Sequence, residues 1–221
     1  MRKSIIFCVT AALLCTGVST ADSINTLSSW SGSFGIEQFG EVWAYSCWAC
    51  SNYAQTFTIT STNARLDSLS VGVWDYNGLY SAEPCRFNVT IMAWDGSRPT
   101  GPVLYRSAPV ASPQAQTWQV VTAPLGGVFV QQNRQYVAIL DAAYYMNGIQ
   151  SYTQVAAVSD IYANGSMMYN IALNPGDTLS QSWSAIPGYD MAFKLDYTAI
   201  PEPATVVLLG LGGLALLRKR K

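Results

Sequence analysis

The chain has 221 residues, with 12 Lys and Arg against 13 Asp and Glu, no His, five Cys and half of its positions apolar. That suits one globular domain with targeting segments and excludes a disordered tail. Without His there is no Ser-His-Asp or Cys-His nucleophile pair and no His-ligated metal, and at 11% charged residues there is little to hold a polyanion.

Residues 1–21 begin with Arg2 and Lys3, continue through an apolar stretch from Ile5 to Val18 and end on small residues at Ser19 and Ala21. This is the pattern of a secretory signal peptide, cut after Ala21 by signal peptidase. About 14 apolar residues fall short of the roughly 20 that a helix needs to cross a bilayer, so an uncleaved anchor is disfavoured. The segment 22–200 then carries six basic residues against twelve acidic ones. A net charge of −6 repels phosphate backbones, so no nucleic-acid partner is expected.

Within 22–200 the runs 53–60, 66–75, 87–95, 118–122, 135–141 and 191–197 alternate or stay apolar and are rich in Val, Ile, Thr and aromatics. Asn77-Gly78, Asp95-Gly96-Ser97, Pro99 to Pro102, Asn147-Gly148, Asn164-Gly165 and Pro175-Gly176-Asp177 punctuate them. Strands with intervening turns and no sustained helical period predict an all-β fold, a single antiparallel β-sandwich with jelly-roll-like topology.

Several constellations are candidates for chemistry. Cys47, Cys50 and Cys85 lie in the exported part; too few ligands surround them for zinc, and Cys47-Trp48-Ala49-Cys50 lacks the helix N-terminus of a redox motif. One disulfide is expected, either Cys47 to Cys50 or one of them to Cys85. Glu37, Glu41, Glu83, Asp75, Asp95 and Asp141 are the carboxylates that a glycosidase could use, but in an extended segment Glu37 and Glu41 would stand about 13 Å apart on one face, too far for either hydrolytic geometry. Asp side chains with loop carbonyls could hold a structural Ca²⁺; no other cofactor is expected. Trp43, Tyr45, Trp48, Tyr76, Tyr80, Tyr152, Trp183 and Tyr189 fall in polar or turn surroundings, where a ring could stack on a sugar or plug the end of a sheet. Tyr144 and Tyr145, in the run YYMNG, are the favoured ligand contacts, because adjacent rings cannot both be buried in a strand.

The C-terminus closes on Pro201-Glu202-Pro203, the apolar stretch Ala204 to Leu217 and the basic stop Arg218, Lys219, Arg220 and Lys221. Fourteen helical residues span about 21 Å, less than the hydrocarbon, and Gly210, Gly212 and Gly213 weaken the helix, so residues 204–217 make a short, transient membrane segment. The terminal cations stay cytoplasmic and stall export with the domain outside.

The string IPEPATVVLLGLGGLALLRKRK resembles a PEP-CTERM sorting signal, and the body of the chain is similar to the β-sandwich ectodomains that precede such tails. The resemblance implies domains at 1–21, 22–200 and 201–221, with Pro201, Glu202 and Pro203 as the element that a membrane exosortase recognises. It further implies an exported protein of the envelope, outer surface or extracellular matrix of a Gram-negative-type bacterium. The expected role is structural or adhesive in exopolysaccharide and not enzymatic, with a carbohydrate-binding, lectin-like module as the alternative and a glycan-active enzyme as a third.

Overall fold

The computed structural model describes residues 20–200 apart from 45–46, 76–82 and 115. The sorting tail and most of the expected signal peptide lie outside the described residues, as do Tyr45, Tyr76, Tyr80 and the side chains of Glu37, Cys47, Asp75 and Tyr152. Fourteen strands follow in order: β1 (Ala21–Asn25), β2 (Gly35–Ala44), β3 (Cys47–Thr58), β4 (Ala64–Asp75), β5 (Arg86–Trp94), β6 (Pro99–Arg106), β7 (Val110–Ala111), β8 (Trp118–Val130), β9 (Gln135–Asp141), β10 (Ser151–Ser159), β11 (Met167–Ala172), β12 (Ser184–Ala185), β13 (Tyr189–Met191) and β14 (Phe193–Ala199). Only three single-turn 3-10 helices accompany them among the described residues. The expected all-β antiparallel fold is found.

One path of pairing, β1-β14-β4-β10-β2-β3-β9-β5-β6, is antiparallel throughout, with β8 added along β4 and β11 along β3. Strands β2 and β10 pair with each other and form the corner between two packed arms. The largest buried cluster draws on both arms, with Phe57, Phe87, Val89 and Ile91 from one and Leu66, Leu69, Val71, Phe193 and Leu195 from the other.

In β4 the inward residues are Ala64, Leu66, Leu69, Val71 and Val73. Alternation with period two would reverse after Leu66, but the ladder to β14 passes from Leu66 directly to Ser68, so Asp67 is an extra, bulged residue that restores the phase. Strand β5 is buried on both faces. Phe87, Val89, Ile91 and Ala93 point into the sandwich, whereas Met92 and Trp94 meet Ala54, Val137, Ile139, Met168 and Trp183 on the outer face. The segment 173–186 covers that outer face through Leu179 and Trp183.

The molecule has two distinct poles. At one, β3 and β8 end, β4 and β9 begin, and the chain leaves the fold: Ile200 donates to the Asn63 carbonyl, and Asn133 to that of Ile59. Ala199 donates to the Thr20 carbonyl, so the chain enters the fold at the same pole. At the other, β9 ends at Asp141, β3 and β5 begin, and β2 turns into β3. The seven residues of β9 separate the exit pole from the loop that follows β9 by about 23 Å, and β3 runs on past it toward β2, about 40 Å from end to end.

Candidate functional site

The pole remote from the chain termini is built on the loop after β9. Ala143–Tyr145 forms a 3-10 turn, which gathers successive residues tightly enough to set Tyr144 and Tyr145 edge to face, 5.2 Å between centroids. Asn52, fully buried on β3, fixes the base of this loop: its Oδ1 accepts from the backbone N–H of Ala142 at 2.9 Å and Ala143 at 3.0 Å. Glu41 on β2 fixes the far side. Its Oε2 accepts from Asn147 N–H and its Oε1 from Gly148 N–H, both at 2.8 Å. Gly148 takes φ of +79°, a left-handed conformation suited to glycine, and Ile149 N–H closes the turn on Asn147 Oδ1.

Below Tyr144 lies the guanidinium of Arg106, 4.8 Å from the ring centroid. Its Nη2 stands 3.9 Å from Asp141 Oδ2, and its Nε donates to Thr90 Oγ1 at 3.3 Å. Thr178, from the covering segment, donates to Asp141 Oδ1 at 2.6 Å, and Asn170 reaches the Thr178 carbonyl. Burial raises the pKa of Asp141, against the Thr178 hydrogen bond and Arg106, which lower it. Thr90 also donates to Asn88 Oδ1, whose Nδ2 is buried with no partner.

Beside this loop a cleft is lined by Glu41, Glu83, Arg86, Tyr145, Asn147 and Ser151. Tyr144 is 50% exposed and Tyr145 half-buried at its rim. The loop therefore presents an exposed aromatic ring and a second ring at a polar cleft, next to two cations, Arg86 of β5 and Arg106 of β6.

Of the other singled-out residues, Trp48 lies against Gly148 of this loop and Glu41 and Glu83 line its cleft; the rest fall elsewhere. Trp43 is exposed and packs edge-on against Trp48 in the β2–β3 hairpin; Trp183 is buried in the covering segment; Tyr189 stacks on Phe34. Asp95 binds its own turn, accepting from Ser97 and Arg98 N–H, which lowers its pKa to about 2. Glu41 and Glu83 share the cleft, but both oxygens of Glu41 are occupied by backbone N–H groups, so its role is to fix the loop. The alternation expected over 37–41 breaks at Gln38, with φ of +67° and a register shift opposite β10. Cys50 and Cys85 are buried thiols, and burial pushes Cys50 well above its ordinary pKa. Cys47 and Cys50, three residues apart in a strand, have Cα atoms about 10 Å from each other, beyond disulfide reach. No group of three or more His, Cys, Asp or Glu among the described residues is placed to hold a metal. Asn52, Glu41 and Arg106 are the residues that sequence reasoning did not assign to this loop, because their contacts with it are long-range.

A profile of the PEP-CTERM protein-sorting motif matches residues 199–221. No curated protein matches the chain. Among solved structures it is similar to a clostridial cysteine protease, Cwp84 after propeptide cleavage, at 12% identity and a TM-score of 0.48, over 81% of this chain and 40% of that one. It is also similar to the cysteine protease and lectin-like domains of Cwp84, a surface layer associated protein of Clostridium difficile, at 13% identity and a TM-score of 0.42, over 68% of this chain and 32% of that one. The chain thus spans well under half the length of these structures, and both likenesses are too weak to carry an argument.

Proposed function

We propose, for a chain whose PEP-CTERM motif makes it an exosortase-sorted protein of the cell envelope, that the β-sandwich is a non-catalytic structural or adhesive module in the exopolysaccharide matrix of a Gram-negative-type bacterium. The observation that supports this reading is the polarity of the fold. The sorting tail follows Ile200 at one pole, and the tyrosine loop stands beyond the opposite end of β9, whose seven residues span about 23 Å. The occupied oxygens of Glu41 speak against a pair of catalytic carboxylates in the cleft. In cells, replacing Pro201, Glu202 and Pro203 together by Ala should leave the protein membrane-associated with its tail intact; unchanged processing would refute the sorting step.

A second reading, a carbohydrate-binding module with a definite ligand, is favoured by the open ring of Tyr144 over Arg106. Sugar C–H faces stack on such rings, and the adjoining Asn147, Ser151 and Arg86 supply partners for hydroxyl groups. On a glycan array, Tyr144→Ala or Tyr145→Ala should weaken binding at least tenfold with the fold unchanged. Equal binding by both variants would place the ligand elsewhere, and absence of binding to the host's own polysaccharide would leave the structural role.

A further inference from the structure

The pole at which the tail leaves carries its own surface. In β6 the ladder to β5 jumps from Tyr105 opposite Ile91 to Thr100 opposite Ala93, so residues 101–104 bulge out of the sheet. Between this bulge and the end of β8 runs a groove of about 270 Å³, lined among others by Ala93, Pro102, Leu104, Phe129, Arg134 and Tyr136. Phe129 is 50% exposed and Leu104 39%. Arg134 lies at the rim, its guanidinium 5.7 Å from the Tyr136 ring and bonded to Gln131.

This groove adjoins the exit of the chain. Ile200 N–H donates to the Asn63 carbonyl and Thr62 Oγ1 to that of Ile200, while Asn63 Oδ1 accepts from Gln132 N–H, next to the groove residue Gln131. Beyond Ile200 only Pro201, Glu202 and Pro203 precede the apolar stretch that starts at Ala204. Three residues reach about 10 Å at full extension. With that stretch in hydrocarbon, the pole cannot be farther than this from the bilayer surface.

We propose that the groove with Phe129 and Leu104 rests on the lipid bilayer surface while the tail is attached, the apolar side chains entering the interface and Arg134 meeting headgroup phosphates. Asp22, on β1 and separated from β8 by β14 and β4, repels anionic headgroups, so the domain leans onto its β6–β8 side. Two apolar side chains bind a membrane far more weakly than a single acyl chain, itself only a marginal anchor, so removal of the tail releases the domain.

This rests on membrane insertion of the tail, and its test keeps the tail in place, so the result does not depend on later cleavage. The full chain is placed in nanodiscs of zwitterionic and anionic lipids with a gadolinium-chelating lipid, and amide relaxation enhancement is read by NMR. Amides of 101–104 and 129–134 should be enhanced several-fold more than those of Asp22 and Ser23, and Leu104→Ser with Phe129→Ser, or Arg134→Glu alone, should even out the pattern. Both exposed-residue variants are checked for an unchanged spectrum elsewhere. Equal enhancement around the pole, a bias that survives both variants, or a bias that appears only with exosortase present would overturn the assignment.

Discussion

Two buried carboxylates define the residue scale. Asp190, fully buried, accepts from Gln55 Nε2 at 2.9 Å and from the backbone N–H of Ile161 at 2.9 Å and Tyr162 at 2.7 Å. Asp190→Ala strands these donors inside the protein and should lower unfolding free energy by about 3 kcal/mol in chemical denaturation; a loss below about 1 kcal/mol would mean that solvent satisfies them. Burial raises the pKa of both Asp141 and Asp190 above the ordinary carboxylate range. The folded chain therefore holds their protons more tightly than the unfolded one, and stability rises as pH falls from neutral through the raised values to the ordinary value. Asp95, lowered to about 2, acts oppositely and withdraws stability only below the ordinary carboxylate pKa. The denaturation midpoint should accordingly rise as pH falls from 7 toward 4, and Asp141→Asn should reduce that gain; a midpoint that only falls across this range would contradict the raised pKa of these groups.

At the scale of elements, what the sequence made legible follows from where packing agrees with pattern. Five of the six predicted runs coincide with the second half of β3 and with β4, β5, β9 and most of β14, whose apolar residues include those of the sandwich core, whereas the run 118–122 meets only the first five residues of β8, ahead of its buried Ala123, Leu125 and Val130. Strands β2, β6, β10 and β11 were not legible. In β2, Gln38 takes a left-handed φ and the register shifts opposite β10, which itself loses alternation there. In β6 the stretch Pro99 to Pro102 reads as a turn, yet an outer strand with a bulge tolerates both prolines. The tyrosine pair was legible because adjacent rings in a polar run cannot both be buried. Its supports were not, since Asn52 and Glu41 lie 90 or more residues away in the chain, and nothing local announces such contacts. The bulge in β4 can be tested directly. Deleting Asp67 should turn one half of the strand's core set, Ala64 and Leu66 or Leu69, Val71 and Val73, toward solvent and abolish cooperative unfolding. Asp67→Ala loses only the exposed hydrogen bond from Thr198 and should cost under about 1 kcal/mol; an ordinary melt for the deletion would show that the register is set elsewhere.

At the scale of the whole molecule, the chain enters and leaves at one pole and displays its tyrosine loop at the other. Ala21, the expected last residue of the signal peptide, pairs with Thr198 in the β1–β14 ladder, which leads within a few residues to Pro201. Both expected cut sites therefore lie at the same pole, and a domain held there faces the medium with Tyr144, Tyr145 and their cleft. Everything in this arrangement depends on the C-terminal segment being a removable address. Intact-mass analysis of the mature protein taken from the envelope of the native cell tests this most directly: the polypeptide should end at or near the Pro201-Glu202-Pro203 motif, with the apolar stretch gone. A mature chain that still carries Arg218, Lys219, Arg220 and Lys221 would contradict it.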